Sequence, residues 1–403
     1  MSFNHPRTAV LEDPALPEVT TLLSSPIPGP IRAAVSAAGG RVENGNLLQV
    51  TWWPGVSITT RYRISIDGGE LDGVSTFVCV AGRVPEGALV VEGEDGRVGV
   101  WRVPHDPALP GLGAALDAER AARLLEDLGG MPGPVDTRLV AYRPGRRAVV
   151  SVSGRQQGIY LKLVRPRIIE ELHRSHQTLA RALPVPASLG FSKELGLIAL
   201  QAVPGLTLRA VLEDPGQPIP LPEDIVDLPR RIPAPDDGRE SSSPVGRLTD
   251  IGPLLAAVAP DLAGQVEEVI DQIGPENSPA DTPCHGDYYE SQLLVEGGVV
   301  VGMLDVDTYG RGRAADDAST MLGHLAIWSG MSRQPDRVRH LGGRLIRVWD
   351  ELLDPGDLRR RTAAVVLSLA TGPFRVQSAR WPEETADRVT IATQWVRSAL
   401  EYG

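Results

Sequence analysis

The chain is poor in cysteine and in lysine. Its two cysteines, Cys79 and Cys284, are too few for a disulfide framework or a cysteine-rich metal site, and we expect both to be buried as small apolar side chains. Of the 40 basic residues, only Lys162 and Lys193 are lysines. A lysine is therefore a marked choice in a chain that otherwise uses arginine.

An excess of basic charge and long apolar runs are also absent. The formal net charge is −11, whereas nucleic-acid-binding proteins usually carry a positive field, so that class is disfavoured. No apolar run approaches the ~20 residues of a membrane-spanning helix. The polar segment Met1–Val10 has no signal-peptide core. We therefore expect a soluble cytoplasmic protein without nucleic-acid or membrane partners.

Length and composition predict more than one packed unit. The chain has 403 residues, and 42% of them are hydrophobic, which is enough for two or three packed units. We expect an α/β unit over residues 1–132, a β-rich lobe over 133–205 and a mostly helical lobe over 206–403.

The spacing of apolar residues and turn residues predicts the elements. Residues 47–102 alternate as short strands, and Asp117 is the expected N-cap of a helix that ends before Gly129. Strands are expected over 137–143, 147–153, 158–164 and 195–203, with a helix over 167–182. The last lobe is expected to contain a loop over 214–244, a helix pair over 251–273, a strand over 299–304 and helices over 315–328, 336–353, 358–371 and 383–400.

Three oxygen-bearing side chains have the spacing of a phosphoryl-transfer site. Such a reaction needs a base that orients the attacking hydroxyl and metal ions that bridge the phosphates. Asp287 and Gln292 are five residues apart, and Asp305 follows a short apolar hairpin that can return it beside Gln292. Oxygen ligands suit a hard cation such as Mg²⁺. The plain alternatives are a helix cap and a turn residue for the aspartates and an exposed polar side chain for Gln292.

The segment His285-Gly286-Asp287, followed by Gln292 and by the apolar run into Leu304-Asp305, resembles the aminoglycoside phosphotransferase and choline kinase superfamily. The resemblance implies an α+β, bilobal protein-kinase-like fold and an ATP- and Mg²⁺-dependent kinase that acts on a hydroxyl group. It implies that Asp287 is the catalytic base and that Gln292 and Asp305 are the metal ligands. A glutamine where the family usually has asparagine resembles the maltokinase-like branch, which carries an extra N-terminal cap unit.

The resemblance also implies roles in nucleotide binding. Lys162 would grip the ATP phosphates, although a strand lysine that reaches solvent is the alternative. Its acidic partner would be Glu171 or Glu170, with a slight preference for Glu171. The remaining positions implied are Gly145 and Arg146 in a nucleotide loop, Gln201 and Val203 in the hinge at adenine, and Asp317 steadying the catalytic loop.

The acceptor is the least defined part of the site. We expect a small hydroxylated molecule, with a sugar or amino sugar favoured by the maltokinase-like resemblance, and a protein that acts as a monomer. Candidate substrate contacts are Glu290, Asp307 and Asp350, and also Asp316 for a cationic acceptor, although ordinary solvated charges are the alternative. Asp307 would share a strand face with Asp305. His285 is expected to bond to the backbone, and Trp52-Trp53 to pack in the core rather than stack on a sugar.

Two other functions stay open. An aminoglycoside-type antibiotic phosphotransferase would use the same motif. A nucleotide-binding pseudokinase with a regulatory role is permitted by the changed asparagine and by the unclear helix glutamate, while the intact Asp287 and Asp305 disfavour it.

Overall fold

The structure is a computed structural model that describes residues 11–93, 96–130, 133–154 and 158–402. Two five-stranded antiparallel sheets come first, and helices with two small sheets form the rest, so the fold is of the α+β class. The segment Met1–Val10 and the boundary expected at residue 132 lie outside the described residues.

The first sheet is built from strands whose residues alternate between core and surface. Its strands are β1 (Arg41–Trp53), β2 (Ser57–Asp67), β3 (Gly73–Ala81), β4 (Leu89–Gly93) and β5 (Gly96–Arg102), hydrogen-bonded in the order β1-β2-β3-β5-β4. In β2, Ile58, Tyr62 and Ile64 are fully buried on one face, because side chains two residues apart share a face. Helices α1 (Glu18–Leu23) and α2 (Gly29–Ala37) contribute to the same core. The strands expected over 47–102 are confirmed.

A second sheet follows two short helices, α3 (Leu112–Leu116) and α4 (Ala118–Asp127). The predicted cap of α4 is confirmed, since Asp117 Oδ1 accepts a hydrogen bond of 2.9 Å from Arg120 N. The strands are β6 (Asp136–Arg143), β7 (Arg147–Ser153), β8 (Ile159–Val164), β9 (Ser188–Ser192) and β10 (Leu197–Gln201), in the order β6-β7-β8-β10-β9, and α5 (Ile169–Leu179) lies between β8 and β9. Strand β9 was not predicted, because its half-buried residues show no alternation.

The second sheet is covered on both faces. On one face, Leu161 shares an apolar core with Val80 and Trp101 of the first sheet. On the other face, Ile198 packs with α5. Lys162 follows Leu161 in β8 and therefore lies on the face toward α5. Because the two sheets share a core, the N-terminal unit supports the second sheet directly.

The helical part contains two small sheets and nine described helices. Its strands are β11 (Leu206–Thr207), β12 (Thr282–Cys284), β13 (Leu293–Glu296), β14 (Val299–Met303) and β15 (Gly310–Gly312), paired as β11-β13-β14 and as β12-β15. Its helices are α6 (Leu208–Glu213), α7 (Pro222–Arg230), α8 (Leu248–Val258), α9 (Ala263–Ile273), α10 (Asp316–Ser329), α11 (Pro335–Asp350), α12 (Pro355–Leu369), α13 (Gly372–Arg375) and α14 (Trp381–Ala399). The helix pair, the strand and the four long helices expected here are confirmed within a few residues.

The loop expected over residues 214–244 is wrong in part, because it contains α7. Ile225, Val226 and Leu228 of this helix are buried in the core of the helical lobe. Pro222 occupies the first turn, where the missing N–H of proline costs nothing. A proline that suggested a loop therefore starts a helix.

A fully buried arginine ties three parts of the helical lobe together. Arg361 of α12 makes ion pairs with Glu276 (2.8 Å), Asp316 (3.0 Å) and Asp357 (2.8 Å). Asp316 is the first residue of α10, so these contacts fix the start of the helix that follows β15.

Two further expectations can be compared with the structure. Both cysteines are free and buried, as expected. Among the described residues, no helix combines the length and the apolar character needed to cross a bilayer.

Replacing the buried arginine should be costly for stability. We expect Arg361→Met to lower the free energy of unfolding by about 3–5 kcal/mol, because Glu276 and Asp316 lose the cation that compensates their buried charge. Arg347→Met, at an exposed position of α11, is the control and should change it by less than about 0.5 kcal/mol. Urea denaturation measures both, and equal midpoints would contradict the assignment.

Candidate active site

A tight loop after β12 carries the expected catalytic aspartate. The carboxylate of Asp317, in the first turn of α10, accepts hydrogen bonds from the backbone N–H groups of His285 (2.8 Å) and Gly286 (2.9 Å). The expectation that Asp317 steadies this loop is thereby confirmed. Gly286 has a φ of +81°, and a Cβ there would lie 2.6 Å from the carbonyl oxygen of Thr308, so the loop requires glycine.

His285 binds the backbone on both sides of its ring. Its Nε2 lies 2.8 Å from the carbonyl oxygen of Leu304, and its Nδ1 lies 3.3 Å from the backbone N of Asp287. The Asp287 N–H can only donate, so Nδ1 accepts and Nε2–H donates to Leu304. The structural role expected for His285 is confirmed, and it links Asp287 to the residue that precedes Asp305.

The β13–β14 hairpin returns the chain to Gln292, as the sequence predicted. The backbone N–H of Leu304 donates to the carbonyl oxygen of Gln292 at 2.8 Å, which places Asp305 beside Gln292. Gln292 is buried, with 7% of its surface exposed. Asp305 has a φ of +59°, a left-handed conformation that is uncommon outside glycine and is often found at functional sites.

Two cations of the second sheet meet two carboxylates of the helical lobe. Lys162 Nζ lies 2.8 Å from Asp305 Oδ1 and also forms an ion pair with Asp307. Arg147 Nη1 lies 2.9 Å from Asp305 Oδ2 and 3.6 Å from Asp307. Burial disfavours the charged forms, but the opposite charges outweigh it, so the pKa of Lys162 is raised and the pKa of Asp305 lies well below its usual range. Lys162 and Asp305 therefore stay charged.

Asp287 lies in a different electrostatic environment. Burial raises the pKa of Asp287, and the nearby charge of Asp305 raises it further, although Arg247 and Arg147 oppose this shift. Arg247 also approaches the carbonyl oxygen of Gly286 at 3.5 Å. Two neighbouring aspartates whose pKa values move apart are suited to different tasks, one as a proton acceptor and one as a permanent anion.

The residues around Asp305 fit a magnesium ion by donor type. Among the described residues, no group of three or more histidine, cysteine or acidic side chains could hold a metal ion. Asp305 and Asp307 nevertheless converge on one point, since both contact Lys162 Nζ, and the backbone of Gln292 is hydrogen-bonded to the residue before Asp305. Magnesium commonly takes one or two carboxylates together with substrate phosphates and waters, so this set is sufficient.

The prediction that Glu171 or Glu170 is the acidic partner of Lys162 is wrong. Neither candidate contacts it, because Glu171 pairs with Arg239 (2.5 Å) and Glu170 with Lys193 (2.9 Å). The buried stripe of α5 is formed by its apolar residues and His176, and the two glutamates lie off that stripe. The carboxylates of the helical lobe take their place at Lys162. Asp307 does so from a short 3₁₀ turn (Val306–Thr308) and not from the strand that was expected.

The turn expected to bind nucleotide phosphates has no free amide at either of its two predicted residues. The N–H of Gly145 donates to Asp106 Oδ2 at 2.7 Å, and the N–H of Arg146 donates to the carbonyl oxygen of Arg143 at 3.0 Å. Both amides are thus engaged within the protein, and a nucleotide contact of Gly145 and Arg146 stays a prediction. The side chain of Arg146 remains exposed.

Gln201 and Val203 lie where β10 leads from the second sheet toward β11 and the helical lobe. The Gln201 N–H donates to the carbonyl oxygen of Ala187 at 2.9 Å, and the Ala202 N–H to that of Gly158 at 3.0 Å. Gln201 and Val203 therefore lie in the segment that leads from one lobe to the other, and their contact with adenine stays a prediction.

Three acidic residues expected to meet the substrate are engaged elsewhere. Glu290 is fully buried and pairs with Arg209. Asp350 pairs with Arg359 (2.7 Å) at the end of α11, and Asp316 is the partner of Arg361. Each carboxylate compensates a buried or half-buried guanidinium, so these candidate contacts are corrected to structural roles.

Sequence reasoning missed Arg147 and Asp106. Arg147 lies on the same face as Val149, which pairs across the strands with Lys162, so the register of β7 and β8 would have revealed it. Asp106 is buried and accepts hydrogen bonds from Tyr142 Oη (2.8 Å) and from Gly145 N. No local pattern links Asp106 to the turn, because Tyr142 and Gly145 are more than 30 residues away.

Comparison with models of known families gives no match, and comparison with curated proteins gives none either. Solved structures are similar. A thermostable mutant of the aminoglycoside phosphotransferase APH(4)-Ia, in a ternary complex with AMP-PNP and hygromycin B, has 15% identity and a TM-score of 0.50, over 69% of this chain and 98% of that chain. A macrolide 2'-phosphotransferase of type I has 14% identity and a TM-score of 0.43, over 68% and 98%. The fold is thus the α+β, bilobal fold of the APH(4)-Ia phosphotransferase, as expected, and identity this low shows the fold alone.

The two lysines of the chain form a matched pair for testing the charge cluster. We expect Lys162→Met to lower the free energy of unfolding by about 3 kcal/mol, because Asp305 and Asp307 lose a buried counter-charge. Lys193→Met removes an exposed pair with Glu170 and should cost at most about 1 kcal/mol. Chemical denaturation of both variants checks this. Equal losses in the free energy of unfolding would mean that Lys162 does not compensate the charges of Asp305 and Asp307.

Proposed function

We propose that the chain is an ATP- and Mg²⁺-dependent phosphotransferase that moves the γ-phosphoryl group of ATP to a hydroxyl group of a small molecule. The observation that carries this proposal is the meeting of Lys162 and Arg147 with Asp305 and Asp307, beside the buried Asp287. The site joins a β-rich lobe to a helical one. The similar APH(4)-Ia structure holds AMP-PNP, which supports a nucleoside triphosphate as donor.

Each residue has a distinct role in this proposal. A magnesium ion held by Gln292 and Asp305 would neutralise charge on the phosphate oxygens. Lys162 and Arg147 bind the phosphates from the side of the second sheet, and Asp307 keeps both cations in place. Asp287 accepts the proton of the acceptor hydroxyl as the phosphoryl group arrives. Most of the rate acceleration then comes from positioning and charge stabilisation.

We infer a sugar or amino sugar as the acceptor, on the strength of the maltokinase-like glutamine at position 292. The similar APH(4)-Ia structure also holds hygromycin B, which supports an antibiotic acceptor equally well. We further propose that residues 1–132 act as a cap unit, 133–205 as the nucleotide-binding lobe and 206–403 as the catalytic and substrate-binding lobe.

One observation favours the pseudokinase alternative. Lys162 has no partner on α5, since Glu171 pairs with Arg239. A protein that binds nucleotide without turnover could tolerate that change. The presence or absence of turnover therefore distinguishes the two functions.

The direct test is ADP release by the purified protein with ATP and Mg²⁺, across sugars, amino sugars, aminoglycosides and choline. We expect one class of acceptor to stimulate release, and Asp287→Asn to reduce kcat by about 10²- to 10⁴-fold, because the proton acceptor is lost. Asp336→Asn, at an exposed position, is the control and should leave the rate unchanged. If nucleotide binds while no acceptor is turned over and Asp287→Asn behaves like the unmodified protein, the regulatory function replaces the enzymatic one.

The dependence of activity on pH follows from the environment of Asp287. The base works deprotonated, and its raised pKa means that it becomes protonated at a higher pH than an ordinary aspartate of pKa ~3.9. We expect kcat/KM to fall about tenfold per pH unit below the pKa of Asp287. A rate profile, with circular dichroism to confirm that the fold persists, measures this. A profile that stays flat until the protein unfolds would rule out Asp287 as the base.

A further inference from the structure

A cavity of about 740 Å³ lies between the first sheet and the rest of the molecule. One wall is the face of β1 and β2 that carries Thr51, Trp53 and Thr59, opposite the face buried against α1 and α2. The other wall is the turn Pro144–Arg146 between β6 and β7. None of the proposed catalytic and metal-binding residues lines it, whereas the turn expected to form the nucleotide loop does.

The lining is strongly basic in a chain whose net charge is −11. Five guanidinium groups come from four different parts of the chain, and one carboxylate accompanies them. These residues are Arg83, Arg143, Arg146, Arg165, Arg375 and Asp250. Arginines gathered from separate elements, against the balance of the whole chain, create a local positive field that attracts anions.

These arginines have no carboxylate partner among the described residues. Arg165 Nε donates a hydrogen bond to the carbonyl oxygen of Gly145, at 2.8 Å. The positive charges of Arg143, Arg147 and Arg165 lie near that of Arg146 and repel it. An anion in the cavity would relieve this repulsion and satisfy several donors at once.

Two stretches of chain that line the cavity also contact the active site. Arg146 lines it, whereas the next residue, Arg147, reaches Asp305. On the other side, Asp250 of α8 lines it, and Arg247 at the start of the same helix reaches the carbonyl oxygen of Gly286 in the catalytic loop. The β6–β7 turn and the start of α8 thus contribute both to the cavity and to contacts with the active-site loops.

We propose that this cavity is a binding site for the phosphate group of a small phosphorylated molecule, separate from the nucleotide. Guanidinium groups recognise phosphate through paired hydrogen bonds, and several of them can share its oxygens. Thr51 and Thr59 offer hydroxyl groups to the uncharged part of such a ligand, and Trp53, which is 40% exposed, offers a ring face. Hydroxyl-rich phosphate esters such as sugar phosphates match this lining. The proposal does not depend on phosphoryl transfer, because binding can be measured without turnover.

The test is calorimetry on the full chain with glucose 6-phosphate, inorganic phosphate, glucose, and ADP with Mg²⁺. We expect glucose 6-phosphate to bind, glucose to bind more weakly by at least about tenfold, and the affinity for the phosphate ester to fall as salt is added. The double variant Arg83→Gln/Arg143→Gln removes one cation from each wall and should weaken the binding of glucose 6-phosphate by at least about tenfold. Arg32→Gln/Arg347→Gln, two exposed arginines outside the cavity, makes the same change in net charge and should have no effect.

Bound ADP separates the two sources of phosphate. If ADP and glucose 6-phosphate bind together, and the cavity variant weakens only the latter, the separate site is supported. If the cavity variant weakens the binding of ADP as much as that of glucose 6-phosphate, the cavity belongs to the nucleotide and the proposal fails. Equal binding by the cavity variant and its control also overturns it. Arg375→Gln, on the third side of the cavity, repeats the test if the double variant does not fold.

Discussion

The charge of Lys162 must be compensated inside the protein, and the arrangement of the two lobes follows from how this is achieved. Lys162 has 5% of its surface exposed, and its counter-charges, Asp305 and Asp307, come from the opposite lobe. An isolated buried ammonium is too costly to persist, so separating the lobes exposes or unbalances this cluster. Arg147 adds a second contact of the same kind. The four groups that join the lobes are Lys162, Arg147, Asp305 and Asp307. The same groups would contact a nucleotide and its metal ion, so nucleotide binding and the contact between the lobes involve the same charges.

The N-terminal unit stabilises the active site from behind. Its Val80 and Trp101 complete the core beneath β8, the strand that carries Lys162. The same unit supplies Asp106, after β5, which holds the turn before Arg147 through the N–H of Gly145. Both residues that bring positive charge to Asp305 are thus positioned by the part of the chain before residue 110. This explains why a unit that contributes no proposed catalytic residue is packed so closely against the second sheet.

Features that depend on neighbours in sequence could be predicted, and features that depend on distant partners could not. The strand alternation of β2, the Asp117 cap and the spacing of Asp287, Gln292 and Asp305 are all local, and the structure has each of them. The partner of Lys162 was mispredicted because the choice between glutamates of α5 and aspartates more than 140 residues away is made by packing. The roles of Glu290 and Asp350 were mispredicted for the same reason, since each acid pairs with an arginine that is distant in sequence or in another helix. A register prediction for β7 and β8 would have added Arg147.

The engaged amides of the β6–β7 turn change how phosphate can be recognised in this chain. A turn whose N–H groups are free can cradle phosphate with its backbone, whereas here Gly145 donates to Asp106 and Arg146 to Arg143. Recognition must then come from side chains, and the turn and its flanks supply three arginines in the five positions 143–147, namely Arg143, Arg146 and Arg147. Two of them line the cavity toward the first sheet, and the third points to Asp305. Arg146 and Arg147 are adjacent and point in opposite directions, so one turn can present positive charge both to the cavity and to the cleft at Asp305. Asp106 holds this turn through the N–H of Gly145 and so helps to keep the two arginines apart.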